Sequence, residues 1–136
     1  MNYLAILLAA IAQFIIGAIW YTPLFGKVWA KIHDMHFSSK EEEKKAMQSM
    51  MPFLGLQFLV TVITTVVLSI FITNQPTWNP YAMAGFFWIG FVVPTQISAV
   101  IFGGTKPQWI VTKIAIMAGA SFLCLETAAA IIFMMG

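Results

Sequence analysis

Arginine is absent from the chain: all seven basic residues are lysine. That argues against phosphate or nucleic-acid recognition, where the planar, bidentate guanidinium fork is favoured, and a net charge of +2 does nothing to restore the case. A single cysteine, Cys124, leaves no room for an intrachain disulfide or a thiolate metal site. Set in an apolar run, it reads as a small core residue. Charge of either sign is scarce, at 9% of 136 residues, while hydrophobic residues reach 60%, both far from the average of a soluble domain. A soluble core of this size leaves too much surface in water to cover so many Leu, Ile, Val, Phe and Met side chains. The expected solvent is lipid.

Also missing are a glycine-rich phosphate loop, a nucleophile elbow and a His-Glu-x-x-His pattern, so an enzyme is disfavoured and no cofactor is expected. The chain opens Met1-Asn2-Tyr3 without the positive charge of a secretory signal, and its apolar stretch runs on to Trp20 past the cleavage-like Ala10-Ile11-Ala12. The first segment is therefore expected to remain as a membrane helix.

What is present is four apolar stretches, residues 3–21, 53–73, 81–102 and 109–135. Each is long enough to cross a hydrocarbon core of about 30 Å as a helix. Lipid makes each span satisfy its own backbone groups, which selects helix over strand. The expected fold is all-α, a single membrane domain built as an integral four-helix bundle. Start signals sit at the breaks: Thr22-Pro23 and Asn79-Pro80 have the form of an N-cap with proline following, and Thr105 with Gln108 has capping-box spacing. The first and third spans both carry Gly, Trp and Pro, but their spacing differs and gives an internal duplication little support.

The loop over residues 23–51 holds most of the polar residues. Phe25, Val28, Trp29, Ile32 and His36 recur at helical spacing with Lys27, Lys31 and Asp34 off that face, which predicts a short amphipathic helix lying in the headgroup layer. The stretch "SSKEEEKKAMQSM" predicts a second, polar helix leading to the second span near Pro52, with a Ser39–Glu42 capping box and a Glu41–Lys45 pair. Lysine also sets the orientation: five lie in the first loop and Lys106 and Lys113 at the third, none in the second loop or the tails. The positive-inside rule then puts loops one and three in the cytoplasm and both termini outside. Tyr3, Trp78 and Tyr81 fit an outer aromatic belt; Trp20, Tyr21, Trp29 and Trp109 fit an inner one.

Glu126 is the candidate site. It lies in the last span, about 6 Å past its midpoint at a 1.5 Å rise per residue, and an ionised acid near the bilayer centre costs on the order of 3 kcal/mol. Glu126 is therefore expected to face the bundle interior, beside Gly119, Ala129 and Ala130, or to keep its proton. Partners at similar depth would be Gln13, Thr64, Thr65 and Trp88. Lys113, thirteen residues earlier, is too far and should snorkel to the inner interface. Gln13, Gln57, Thr61, Gln96 and Ser98 could line a wet path or act as interhelical glue. One use of Glu126 is proton or cation coupling; the blander one is a neutral acid hydrogen-bonded between helices. His33, Asp34 and His36 are metal-ligand types, but too few for a tetrahedral site, and no metal is expected there. Pro94, inside the third span, frees the carbonyl of Gly90 and predicts a kink.

The stretch "GAIWYTPLFGKVW" resembles the opening signature of a small bacterial membrane family catalogued as domain of unknown function 1761, through Gly17, Trp20, Tyr21, Pro23, Phe25, Gly26 and Trp29. Pro94 and the four-span layout are similar too. The resemblance implies a fold and a bacterial inner-membrane address, and no reaction, substrate or site. Physics accounts for the motif as an elbow in which Trp20 and Tyr21 anchor one helix end, Thr22-Pro23 starts the next helix, Gly26 lets it lie close to its neighbours and Trp29 anchors its far end. Small-residue faces and a short bundle leave lipid-facing surface for partners. The function expected is a structural or accessory subunit that oligomerises or joins a larger membrane complex. The alternative is a small proton- or cation-coupled transporter or channel using Glu126.

Overall fold

A computed structural model describes all residues, Met1–Gly136, and contains helices and no strands. Helix α1 (Tyr3–Ile19) starts at Asn2, whose side-chain oxygen accepts from the Ala5 N–H at 3.1 Å. Its amide nitrogen donates to the Met135 carbonyl at 2.9 Å, tying the first and last spans together at one end of the bundle. After a π turn (Trp20–Leu24) come α2 (Gly26–Ile32) and α3 (Lys40–Asn74). The third span is α4 (Pro80–Phe87), a π turn (Trp88–Val92) and α5 (Val93–Phe102) in sequence; a short 3₁₀ turn then leads into α6 (Ile110–Met135). Four helical stretches, Tyr3–Leu24, Lys40–Asn74, Pro80–Phe102 and Pro107–Met135, are long and apolar enough to cross a membrane.

Helix α6 is the hub, packed against α1, α3, α4 and α5. Half of its six buried residues are alanine, and Ala128 and Ala129, with Leu125 and Ile132, cluster with Ala9 of α1, Ala84 of α4 and Leu68 of α3. Small side chains let helix axes approach closely, so that dispersion, not water exclusion, holds helices together in lipid. Only 19 of 136 residues are buried, and large apolar side chains such as Phe91, Phe102 and Val111 point outward. Such a surface suits a hydrocarbon solvent and would be an aggregation hazard in water.

Several local expectations change. Pro23 does not begin a helix: it lies inside the π turn, which the Phe25 N–H closes onto the Trp20 carbonyl at 3.0 Å, and α2 begins at Gly26. The wider π turn accommodates the proline ring without breaking the chain's helical course. Gly26 is favoured by its own backbone rather than by a neighbouring helix, since a Cβ there would stand a tight 3.2 Å from the Tyr21 carbonyl oxygen. Helix α2 ends at Ile32, with Ile32 buried and Lys27 and Lys31 exposed; Asp34 at φ 50° turns the chain away, so His36 falls outside the helix. The polar helix and the second span are one: α3 runs 35 residues straight through Pro52. Asn79 caps α4 as expected, accepting from Tyr81 and Ala82 N–H groups at 2.8 and 3.2 Å. Thr105 caps nothing, and its buried hydroxyl has no partner. At the start of α3 the box is half formed. Ser39 accepts from the Glu42 N–H at 3.2 Å, while the Glu42 carboxylate turns to the Ser38 hydroxyl and N–H instead of Ser39. Glu41 and Lys45 form no salt bridge; the ion pair present is Lys106–Asp34 at 3.2 Å, exposed on both sides. Together with Lys113 Nζ, 5.6 Å from the Trp29 ring centre, it holds loops one and three at the same end.

Candidate intramembrane site

The mid-membrane polar groups fall into three sets, each organised by a different helix pair. Gln13 and Thr65 are buried, 52 residues apart in sequence, and meet where α1 crosses α3: the Gln13 amide donates to the Thr65 hydroxyl at 2.7 Å and to the Ala9 carbonyl at 3.2 Å. The Thr65 hydroxyl in turn donates to the Thr61 carbonyl at 2.7 Å. With each donor matched to an acceptor, the pair fixes the register of two spans in a solvent that offers no substitutes. The Cys124 thiol approaches the Gln13 carbonyl at 3.6 Å, joining α6 to the same junction.

The second set sews the third span to α6. The Trp88 indole donates to the Ala118 carbonyl at 2.9 Å, and its ring packs edge-on against Phe122 with centres 4.9 Å apart. Gln96 reaches the Met117 carbonyl at 3.4 Å and accepts from Ser121 at the same distance. From the other side, Trp20 donates to the Ile116 carbonyl at 2.9 Å. Its ring occupies the notch left by Gly119, where a Cβ would lie 2.8 Å from Cζ2. Trp20 is thus a helix-packing residue, its indole donor turned inward onto α6. The rest of that motif stacks below it, with Trp20–Phe25, Tyr21–Trp29 and Trp29–His33 ring centres 4.9, 4.7 and 4.4 Å apart.

Glu126 stands alone. It is partly exposed on α6, beside Gly85 of α4, whose missing side chain leaves the carboxylate oxygen 3.7 Å from where a Cβ would be. It makes no hydrogen bond and no salt bridge within the chain. Gln13, Thr65, Trp88 and Gln96 bond elsewhere, and Thr64 is exposed with its hydroxyl on the Val60 carbonyl at 3.1 Å. Gly119, expected on the acid's face, is filled by Trp20, and Ala129 is sealed in the core. One turn before it on α6, Phe122 and Leu123 are both exposed.

His33 Nδ1 shares a hydrogen with the Trp29 carbonyl at 2.9 Å, His36 is exposed, and no three metal-ligating side chains converge anywhere in the chain. The α3 N-terminus is the one place outside the spans with a displaced titration. Hydrogen bonds from the Ser38 hydroxyl, and then its N–H, hold the Glu42 carboxyl below the usual glutamate range. Sequence reasoning missed Gly85, Ser121 and the Cys124 contact, and it gave Gly119 to the face of the acid rather than to Trp20. Their common signal, small or weakly polar residues recurring along one helix, identifies a packing face without saying which neighbour fills it.

A family model described as "Protein of unknown function (DUF1761)" matches residues 4–133. No curated protein and no solved structure matches the chain.

Proposed function

The chain belongs to the family described as protein of unknown function DUF1761, and because that membership carries no reaction or substrate, we propose from the geometry that the protein is a structural or accessory membrane subunit. It assembles with itself or within a larger membrane complex of the bacterial inner membrane. It is not an enzyme and takes no nucleic acid. The observation that carries this is Glu126: an acid within a span, at the bundle's surface, with no partner in its own chain. Intramembrane acids almost always find a polar partner or a wet cavity. Here Gln13, Thr65, Trp88 and Gln96 are bonded elsewhere, and Gly85 leaves room for an approaching group, so the partner comes from another chain.

The lysine distribution supports cytoplasmic loops one and three with both termini outside, and α2, with its lysines exposed beside Trp29, suits the headgroup layer of that side. A photo-cross-linking residue at Leu123, one turn from Glu126, is expected to trap a second protein chain in native membranes. The same residue at Phe102, at the far end of the third span, should trap lipid. Equal protein adducts from both positions, or none from Leu123, overturn the proposal.

Transport rests on the same acid. Its proton would need a route, and the Gln13–Thr65 and Gln96–Ser121 groups that could supply one touch neither each other nor Glu126. Reconstituted wild type and Glu126→Gln are expected to show the same absence of proton or cation flux; flux in the wild type alone would favour transport.

A further inference from the structure

At the end of the bundle opposite the lysines, two cavities meet at Trp78. One, about 670 Å³, lies among Ser69 and Thr73 of α3, Trp78 of the second loop and the outer turns of α6. The other, about 370 Å³, is an aromatic slot between α3 and α4, walled by Phe71, Phe87 and Phe91 and closed by the same Trp78. Phe71 and Phe87 meet edge-on at 5.1 Å, which fixes the slot's floor.

Ser69 is the telling residue. It is only 3% exposed, yet of the three polar residues buried in the bundle it alone makes no side-chain hydrogen bond inside the chain; Gln13 and Thr65 are both bonded. A serine in a helix in lipid ordinarily finds a backbone carbonyl or a neighbour. Here it lines the larger cavity instead, alongside the Thr73 hydroxyl and the Trp78 indole, which are likewise unpartnered. The cavity thus offers three donors, and neither it nor the slot is lined by a Lys or His. No lysine or histidine side chain stands there to pair with an anionic phosphate. An uncharged group rich in acceptors fits.

We propose that this end of the bundle is a glycerolipid site, with the ester carbonyls of one lipid accepting hydrogen bonds in the Ser69–Thr73–Trp78 cavity and one acyl chain lying in the aromatic slot. The depth agrees. Ser69 lies five residues before the end of α3, about 8 Å inside its terminus, and Trp78 follows just beyond, where the ester layer of a bilayer meets the chain and where tryptophan is enriched. Lipid esters bring acceptors and no donors, the complement of what the cavity presents.

The test is lipid retention by native mass spectrometry, using the full chain delivered from bilayers of dioleoyl phosphatidylglycerol or of its dialkyl-ether analogue. The two differ only in the ester carbonyls. Wild type is expected to hold one ester lipid per chain and to hold the ether lipid about fivefold less, the effect of one neutral hydrogen bond. Ser69→Leu, which fills the cavity, should lower ester-lipid retention by at least as much, while Ser98→Leu, exposed on α5, should leave it unchanged. Equal retention of ester and ether lipids by the wild type overturns the proposal. So does competition by glycerol 3-phosphate, which would mean headgroup recognition, or a Ser69→Leu protein that folds and retains lipid like the wild type. If Ser69→Leu does not fold, the ester–ether comparison in the wild type decides alone.

Discussion

Two tryptophans open two π turns and do the same thing from opposite sides: Trp20 and Trp88 each donate an indole hydrogen to a carbonyl of α6, at 2.9 Å, two residues apart along that helix. Their surroundings differ. Trp20 is wedged into the Gly119 notch with its proline, Pro23, inside the turn, whereas Trp88 leans on Phe122, which is 43% exposed, and its proline, Pro94, comes after the turn. The first contact is protein on protein; the second shares its outer side with lipid. A π turn supplies the displaced register that brings each indole to α6, and the neighbours decide how much each anchor is worth. The hint of a duplication in the Gly, Trp and Pro content thus has a physical counterpart in how the two spans grip α6, though at different depths along each span.

The comparison breaks most easily at Gly119. Gly119→Val should overpack against the Trp20 ring and cost about 1 to 3 kcal/mol, seen as a lower midpoint of thermal unfolding in detergent. Next comes the junction shared by neither tryptophan. Thr65→Val leaves the Gln13 amide without its buried acceptor and should cost about 1 to 3 kcal/mol, whereas Gln13→Leu combined with Thr65→Val should recover part of that loss. Trp88→Phe keeps much of the ring and removes the indole donor; about 1 kcal/mol is expected by the same measurement. Phe122→Ala should cost less than that, because lipid replaces the lost contact on the exposed side.

The smallest effect lies outside the membrane and depends on pH. Glu42 has its folded pKa depressed by Ser38, so its contribution is present above the ordinary glutamate range and is lost as the pH falls through the lowered value. Acidification should fray the first turn of α3, raising amide exchange at residues 40–43 while the spans stay protected. Ser38→Ala should move that fraying to higher pH.

Much of the architecture was legible in the sequence because its causes are local. Length and apolarity mark the four spans, and Asn79-Pro80 writes its own helix start in two adjacent residues. The two π turns were not legible: a proline marks a disturbance, but the displaced register is held by an indole reaching a carbonyl 30 or 96 residues away. Continuity of α3 through Pro52 escaped for the opposite reason, since a polar-to-apolar boundary resembles a break when the backbone simply continues out of the lipid. The polar candidates were recognisable as residues but not as pairs. Gln13 meets Thr65, Gln96 meets Ser121, and Glu126 meets none of them, because the rotation of each helix about its own axis is decided by alanines and glycines with weak patterning.

The central claim is that Glu126 finds its partner in another chain. Its most direct test is the mass of the particle extracted from native membranes in a non-dissociating detergent or polymer, for the wild type and for Glu126→Leu. A wild-type particle well above the 15.1 kDa chain, with a fixed ratio of subunits that Glu126→Leu reduces, is the predicted result. A single chain of that mass in both preparations would contradict it.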